Sequence, residues 1–408
     1  MKLIKSTGMR AIIVVCATLL SSYSALAKEI PKPTGVETLG KTTNPNMVLK
    51  SLPNEIKIMS YNLQNLFDDQ HDDKKDDYTW LPATHAGKIE HCNKIKNDRY
   101  RRQCLAVDWS SRKITDKIAQ IRKTIKIQGS LPDMLAVEEI ENKRVAKRLA
   151  RNLGYSRVII TNSPDRRGID VALLFNEDKV EYIEHEEINI KKAVGFATRN
   201  ILRVHFQPLV GNTSKTLGVY VNHWPSQALK ASVNPGRLNA ALELKKAIQK
   251  QTEGIGKENY YVVATGDFNT LTDELPNAFT HGIQSPTWEN SMADVHYESY
   301  KGAINSMRFN MPKGTYWYSK NGAYNRFDRF FVSKNLIEKT GAHVVLNSYR
   351  IVGSPVNSRL HLYRGRNQNH YISAQWVPIR YNFQTEDRAE IGFSDHYPIV
   401  VKLAFTGK

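Results

Sequence analysis

The stretch VVATGDFNTLTDE, residues 262–274, decides the fold. An apolar, β-branched run ends abruptly in Gly266-Asp267-Phe268-Asn269. Such a run reads as a buried strand, and Gly, Asp and Asn are the residues that turns demand. Taken alone, the segment is a strand followed by a turn. A carboxylate and a carboxamide two residues apart at a strand mouth are also what a catalytic site uses. What ends the other strands decides between the two.

Apolar runs of similar texture predict strands at 56–62, 134–140, 156–161, 170–176, 201–209, 216–224, 260–268, 326–333 and 397–405. Helical periodicity fits residues 110–126, 142–154 and 235–252, the second closed by Gly154. Strand and helix signals alternate early and strands dominate later. The expectation is an α/β protein whose sheets pack together with helices outside. The run DDQHDDKKDDY (68–78) lacks EF-hand spacing, so a solvated loop is expected there rather than a calcium loop. Residues 335–391 show weak periodicity and are expected to contain loops that decorate one face.

The strand mouths share a chemistry. Asn62 ends the first, and Glu138 and Glu139 lie in AVEEIEN. Asn222 and His223 lie in GVYVNHWPS, Asp328 in NRFDRFFVS, and Asp395 and His396 in IGFSDHYPIVV. Singly, each is ordinarily a turn former or a satisfied buried group. Together they matter, because α/β proteins place their sites at the gathered ends of strands. The set suits hydrolysis of a phosphate ester. Carboxylates can hold Mg²⁺, which keeps several waters and neutralises charge on phosphoryl and leaving oxygens. Histidine moves protons near neutral pH. No HExxH helix and no GxSxG elbow occurs, which excludes zincin and serine-hydrolase chemistry.

The N-terminus reads as an export signal over residues 1–27. Lys2, Lys5 and Arg10 precede an apolar core, Ala11 to Leu20, that is too short to span a bilayer, and Ala25-Leu26-Ala27 is a cleavage site. Val15 before Cys16 is too bulky for a lipoprotein anchor. No later segment is a transmembrane candidate, so a secreted or periplasmic protein is expected. Residues 28–54, with four prolines, read as a linker or N-terminal arm. Loss of the signal takes three basic and no acidic residues from the 408, lowering the net charge from +18 to +15 over 381 residues. Such an excess attracts polyanions. Cys92 and Cys104, in an oxidising compartment, read as one disulfide pinning a loop.

The ordered set SYNLQNLFD, LAVEEIEN, RGIDVALL, VNHWPS, GDFN, DRFFVS and SDHYPIV resembles the endonuclease/exonuclease/phosphatase superfamily, of DNase I-like fold, in the style of its secreted bacterial members. The resemblance runs from about Glu55 to Phe405 and implies one catalytic domain, 55–408. It implies a four-layered α/β sandwich, two mixed β-sheets packed face to face with flanking helices. Glu139 is implied as the main metal ligand, Asn62 as a support for the metal and the phosphate, and Asp395 as a second metal-side carboxylate. His223 is implied beside the leaving oxygen. Asp267 and Asn269 would orient the attacking water and hold the phosphate, and His396 would be a second catalytic histidine oriented by Asp328. Arg167 and Asp170 fall where the family contacts phosphate or braces a histidine. Glu138 stands where the family usually has Gln, and strand alternation allows only one of Glu138 and Glu139 to point into the site. The implied cofactor is Mg²⁺, with Mn²⁺ or Ca²⁺ as alternatives.

The superfamily acts on DNA, RNA, inositol phosphates, sphingomyelin and other phosphoesters, so fold does not fix substrate. The charge favours nucleic acid. The leading expectation is a monomeric, exported, Mg²⁺-dependent endonuclease acting on DNA or else RNA. One alternative is a phosphatase or phosphodiesterase on lipid or inositol phosphates. For that reading GTYWYSKNGAY (314–324) is the nearest membrane-docking candidate; otherwise it is a loop beside Asp328. The other alternative, a non-enzymatic polyanion-binding protein or toxin subunit, has no need of paired histidines.

Overall fold

The computed structural model describes residues 52–227, 234–301, 312–339, 341–363 and 373–406. The expected signal (1–27) lies outside the described residues, as does the expected arm up to residue 51. In chain order the strands are β1 (Glu55–Leu66), β2 (Met134–Ile140), β3 (Arg157–Ile160), β4 (Asp170–Phe175), β5 (Val180–Ile188), β6 (Ile201–Pro208), β7 (Thr216–His223), β8 (Tyr260–Asp267), β9 (Ala293–Asp294), β10 (Tyr316–Tyr318), β11 (Ala323–Asn325), β12 (Asp328–Val332), β13 (Ala342–Val344), β14 (Arg350–Ile351), β15 (Ser358–Tyr363), β16 (Ser373–Pro378) and β17 (Ile399–Phe405). The helices are α1 (Lys88–Asn93), α2 (Asp98–Ala106), α3 (Ser111–Lys126), α4 (Lys143–Leu153), α5 (Lys191–Val194), α6 (Asn234–Ile255) and α7 (Val295–Lys301).

One sheet runs β13-β17-β1-β2-β4-β3, with β14 also on β17; the other runs β5-β6-β7-β8-β12-β9. Both are mixed: β1/β2 and β7/β8 are parallel and their neighbours antiparallel. Alternation along the strands builds the layers. Ile56 and Ile58 of β1 meet Val219 and Val221 of β7 in a central core between the sheets. Met59, Tyr61 and Leu63 point the other way, onto Ile114, Ile118 and Ile121 of α3 and Leu149 of α4. Tyr220 and Ala264 pack outward against Ala240, Leu244 and Ile248 of α6. The result is a four-layered α/β sandwich of DNase I-like fold. Each buried Val, Leu or Ile side chain stabilises it by about 1.5–3 kcal/mol. The outer helices are capped locally: Asn142 Oδ1 accepts from Arg144 N and Val145 N at the start of α4, and Gly154 closes it at φ 89°.

Three regions hold more order than the sequence suggests. The polar run 68–78 is not a free solvated loop. Asp77 is buried, accepting from the Asp72 amide beside His71, and Asp68 takes Arg144 and Asn142 from the start of α4. Residues 335–391 contain strands β13 and β14, which extend a sheet along β17, and the β15–β16 hairpin. β5 gives no strand signal because VEYIEHEEI lacks an apolar face; it is a sheet edge with its glutamates exposed. The aromatic stretch 314–324 folds as the β10–β11 hairpin beside Asp328, with Trp317 buried. No helix among the described residues is long and apolar enough to cross a membrane.

Candidate active site

The site forms where the ladders of both sheets break at their mouths. β1 and β2 stay in register to the pair Asn62–Glu138 and shift beyond it, as β2 does against β4 between Glu138 and Ile140. Gln64, Asn65 and Glu139 adopt φ of 52°, 62° and 59° there. Such bulges re-aim side chains. Glu138 continues the face of Met134 and Ala136, toward the other sheet, and accepts from Ser60 Oγ at 2.9 Å. Alternation would turn Glu139 outward, but the bulge brings its Oε1 to 3.9 Å from His223 Nε2. Both glutamates therefore face the site region, contrary to the strict alternation rule: Glu138 buried at its floor and Glu139 at its rim.

In the second sheet, β7 and β8 run side by side so that His223 is paired with Asp267 and Asn222 with Gly266. Only glycine fits at 266. A Cβ there would lie 2.0 Å from the Asn222 carbonyl oxygen, and its φ of 128° is one that L side chains rarely adopt. Asp267 then turns into the gap between the sheets. Its Oδ2 accepts from Asn62 Nδ2 at 3.1 Å, a hydrogen bond from one sheet to the other, and its Oδ1 accepts from the Asn269 amide at 2.9 Å. Asn269 sits at φ 47° and donates through Nδ2 to Trp224 O.

His396 arrives on the segment before β17. Ser394 Oγ donates to the Asn62 carbonyl, and the His396 amide donates to Ser394 Oγ. Asp328, the register partner of Asp267, meets His396 Nδ1 through Oδ2 at 2.7 Å. Thr315 Oγ1 fixes that turn by accepting from the Phe327 and Asp328 amides, and Tyr316 packs on the His396 ring, 5.0 Å between centroids. The Nε2 atoms of His223 and His396 lie 3.7 and 3.9 Å from Asp267 Oδ2.

Burial dominates the electrostatics. It lifts Asp267 to about 7; His396 opposes the shift, and Asp328 and Glu139 add to it. Burial pulls His396 down, but the charge and hydrogen bond of Asp328, with Asp267 and Asp395, outweigh it and hold His396 well above its ordinary range. His223 goes the other way: burial, then the nearby Arg199 and Arg167, press it well below. The site thus pairs a charged imidazole with a neutral one around a single carboxylate. Glu138 is pushed well above the carboxylate range by burial and the nearby Asp328.

Not every expected residue stands where expected. Asn62 holds Asp267 through Nδ2 and accepts from the Gln64 amide through Oδ1; it is fully buried, so its place is to position Asp267 rather than to face an ion. Asp170 accepts from Thr161 Oγ1 and the Ser163 amide and does not brace a histidine, while His223 Nδ1 has no hydrogen-bond partner among the described residues. Arg167 stays exposed, 3.6 Å from Asp165, and reaches the site only through its charge. Asp395 is joined to Arg380 at 2.7 Å. Cys92 and Cys104 are disulfide-bonded, joining α1 to α2. Arg199 escaped the sequence reading. It is buried and donates to the carbonyls of His223 and Trp224 while pairing with Asp165, so it fixes the histidine's backbone. A lone arginine ahead of a strand carries no signal of that role.

A family model described as the Endonuclease/Exonuclease/phosphatase family matches residues 57–405. The chain belongs to the endonuclease/exonuclease/phosphatase family. Members of this family are phosphoester hydrolases and generally use divalent metal ions. No protein of curated function matches in sequence. Among solved structures, the human Nocturnin catalytic domain is similar at 15% identity and a TM-score of 0.48, covering 88% of this chain and 97% of that one. A humanized TDP2 of D. rerio is similar at 13% identity and 0.47, covering 86% and 99%. A mannosyl-6-phosphatase of Bacteroides thetaiotaomicron is similar at 15% and 0.46, covering 86% and 100%. These are likenesses of fold. The residues present suit the family's hard cations. Glu139 and Asp395 line one groove with carboxylate oxygens, and no group of three or more His, Cys, Asp or Glu among the described residues encloses an ion. Mg²⁺ is commonly held in that manner, by one or two carboxylates with water and substrate oxygens completing its shell.

Proposed function

We propose that this family member is an exported, metal-dependent phosphodiesterase that cleaves nucleic acid, DNA foremost. The observation that carries the reading is Asp267 set between a charged and a neutral histidine, with each Nε2 within 3.9 Å of its Oδ2. Asp267, at about 7, is matched to take a proton from an attacking water near neutral pH. The Asn269 amide and Asn62 hold the carboxylate in place. His396, kept charged by Asp328, donates to the phosphoryl oxygens and gives its Nε2 proton to the departing oxygen as the phosphorus–oxygen bond breaks. The proton gained by Asp267 then restores His396, which resets both groups. His223, being neutral, stands close to Asp267 and Glu139, at 3.7 and 3.9 Å, without adding positive charge. A cation on Glu139 and Asp395 would neutralise charge on the phosphate.

The net charge, +15 after loss of the three basic residues of the signal, supports a polyanionic substrate, and the Cys92–Cys104 disulfide, together with the signal-like N-terminal sequence, supports export. The test is nicking of supercoiled plasmid by the mature protein in Mg²⁺ and in EDTA, with bis(p-nitrophenyl) phosphate as a small diester. Cleavage of both in Mg²⁺ only is expected. Folded protein that cleaves the small diester and leaves DNA intact would move the substrate to smaller phosphoesters.

A further inference from the structure

Beside the site, Glu139 and Asp395 share a groove of about 530 Å³ with Arg380, Arg99 and Arg102. Its size falls within the ~300–1,000 Å³ typical of ligand sites. Arg380 is already engaged by Asp395. Arg99 and Arg102 differ. They lie three residues apart on α2 and so share one of its faces, both are exposed, and neither meets an acidic side chain among the described residues. Arg101, on the same helix, is paired with Asp98.

The helix that presents them is firmly held. The disulfide ties Cys104 to Cys92 of α1, and both cysteines are fully buried. Asn97 caps α2 by accepting from the Arg99 and Tyr100 amides. Lys88, itself buried, donates to the carbonyls of Leu81 and Val107 and so fastens α1 to the chain on either side of the pair of helices. Two uncompensated guanidinium groups on one face of a braced helix offer a phosphate a pair of donors, and arginine matches phosphate oxygens in bidentate fashion.

We propose that this groove is a second anion subsite, in which Arg99 and Arg102 bind a phosphate of the same nucleic-acid strand whose neighbouring phosphodiester lies at Asp267 and the two histidines. The inference rests on the phosphodiesterase reading. It makes the enzyme selective for a strand over an isolated diester, because only a strand fills both positions.

The test uses the full mature protein and its Arg99→Ala/Arg102→Ala variant, with unchanged circular dichroism and Tm as the control for folding. With a short single-stranded oligonucleotide, KM is expected to rise about tenfold with kcat nearly unchanged, and the logarithmic salt dependence of binding to fall by about 0.7 for each phosphate no longer held. With bis(p-nitrophenyl) phosphate neither constant moves. The Arg99→Lys/Arg102→Lys variant keeps the salt dependence. An unchanged oligonucleotide KM, or equal losses on both substrates, overturns the subsite. Should the wild type hydrolyse neither substrate, oligonucleotide binding in EDTA, read by fluorescence anisotropy, still decides: loss in the alanine variant supports the subsite, and equal binding overturns it. Arginine-dependent binding to phosphatidylglycerol vesicles without binding to the oligonucleotide would also overturn it, in favour of a lipid surface.

Discussion

His223 closes β7 in one sheet, and His396 precedes β17 in the other. Each turns its Nε2 toward Asp267 Oδ2, at 3.7 and 3.9 Å, and each is buried. Their other ring nitrogens differ. His396 Nδ1 meets the Asp328 carboxylate at 2.7 Å, whereas His223 Nδ1 meets no partner among the described residues and lies under the influence of Arg199 and Arg167. Burial alone would leave both neutral. For His223 burial prevails, with Arg199 and Arg167 adding to it, whereas for His396 the carboxylate of Asp328, helped by Asp267 and Asp395, reverses it.

Removing the rings gives the largest effect. His396→Gln is expected to lower kcat by about 10²–10⁴-fold, the range of a lost acid–base group, and His223→Gln by less, as measured on plasmid DNA and on the small diester. Asp328→Asn comes next. It leaves the ring but removes the charge that holds its proton, so the alkaline limb of the pH–rate profile moves to lower pH. Stability follows the same sign. A histidine whose folded pKa is raised contributes stability that is complete below its unfolded value near 6.5 and fades as pH rises through the folded value. Asp328→Asn should therefore lower Tm more at pH 6 than at strongly alkaline pH.

Asp267 sets the acid limb. With its carboxyl at about 7, the rate should fall about tenfold per pH unit below that point, and a profile flat down to the ordinary aspartate value of 3.8 would contradict its role as base. The smallest effect belongs to Glu138. Burial already keeps it neutral, so Glu138→Gln should change stability by under about 1 kcal/mol and leave kcat within a few-fold, as checked by urea unfolding and steady-state rates.

Much of this comparison is legible in the sequence. The apolar runs mark β2 at residues 134–140 and most other long strands within two residues, because both faces of these strands are buried and no polar alternation blurs them. The polar residues at their mouths point to Asp267, Asn269, His223, Asp328 and His396, which the fold gathers in one place. What cannot be read depends on geometry that no local pattern encodes. Glu139 enters the site through a bulge, Asn62 spends its side chain on Asp267, and Arg199 acts on a backbone carbonyl 24 residues along the chain. β5 and the braced α1–α2 pair also escape, since exposed polar elements carry little hydrophobic periodicity.

Opposite charge states of the two rings are read most directly by ¹⁵N NMR of the histidine side chains in the mature protein, in EDTA at pH 7, assigned with His223→Gln and His396→Gln. Both nitrogens of His396 are expected to be protonated, and a single nitrogen of His223. Two neutral rings, or two rings titrating together near 6.5, would contradict this.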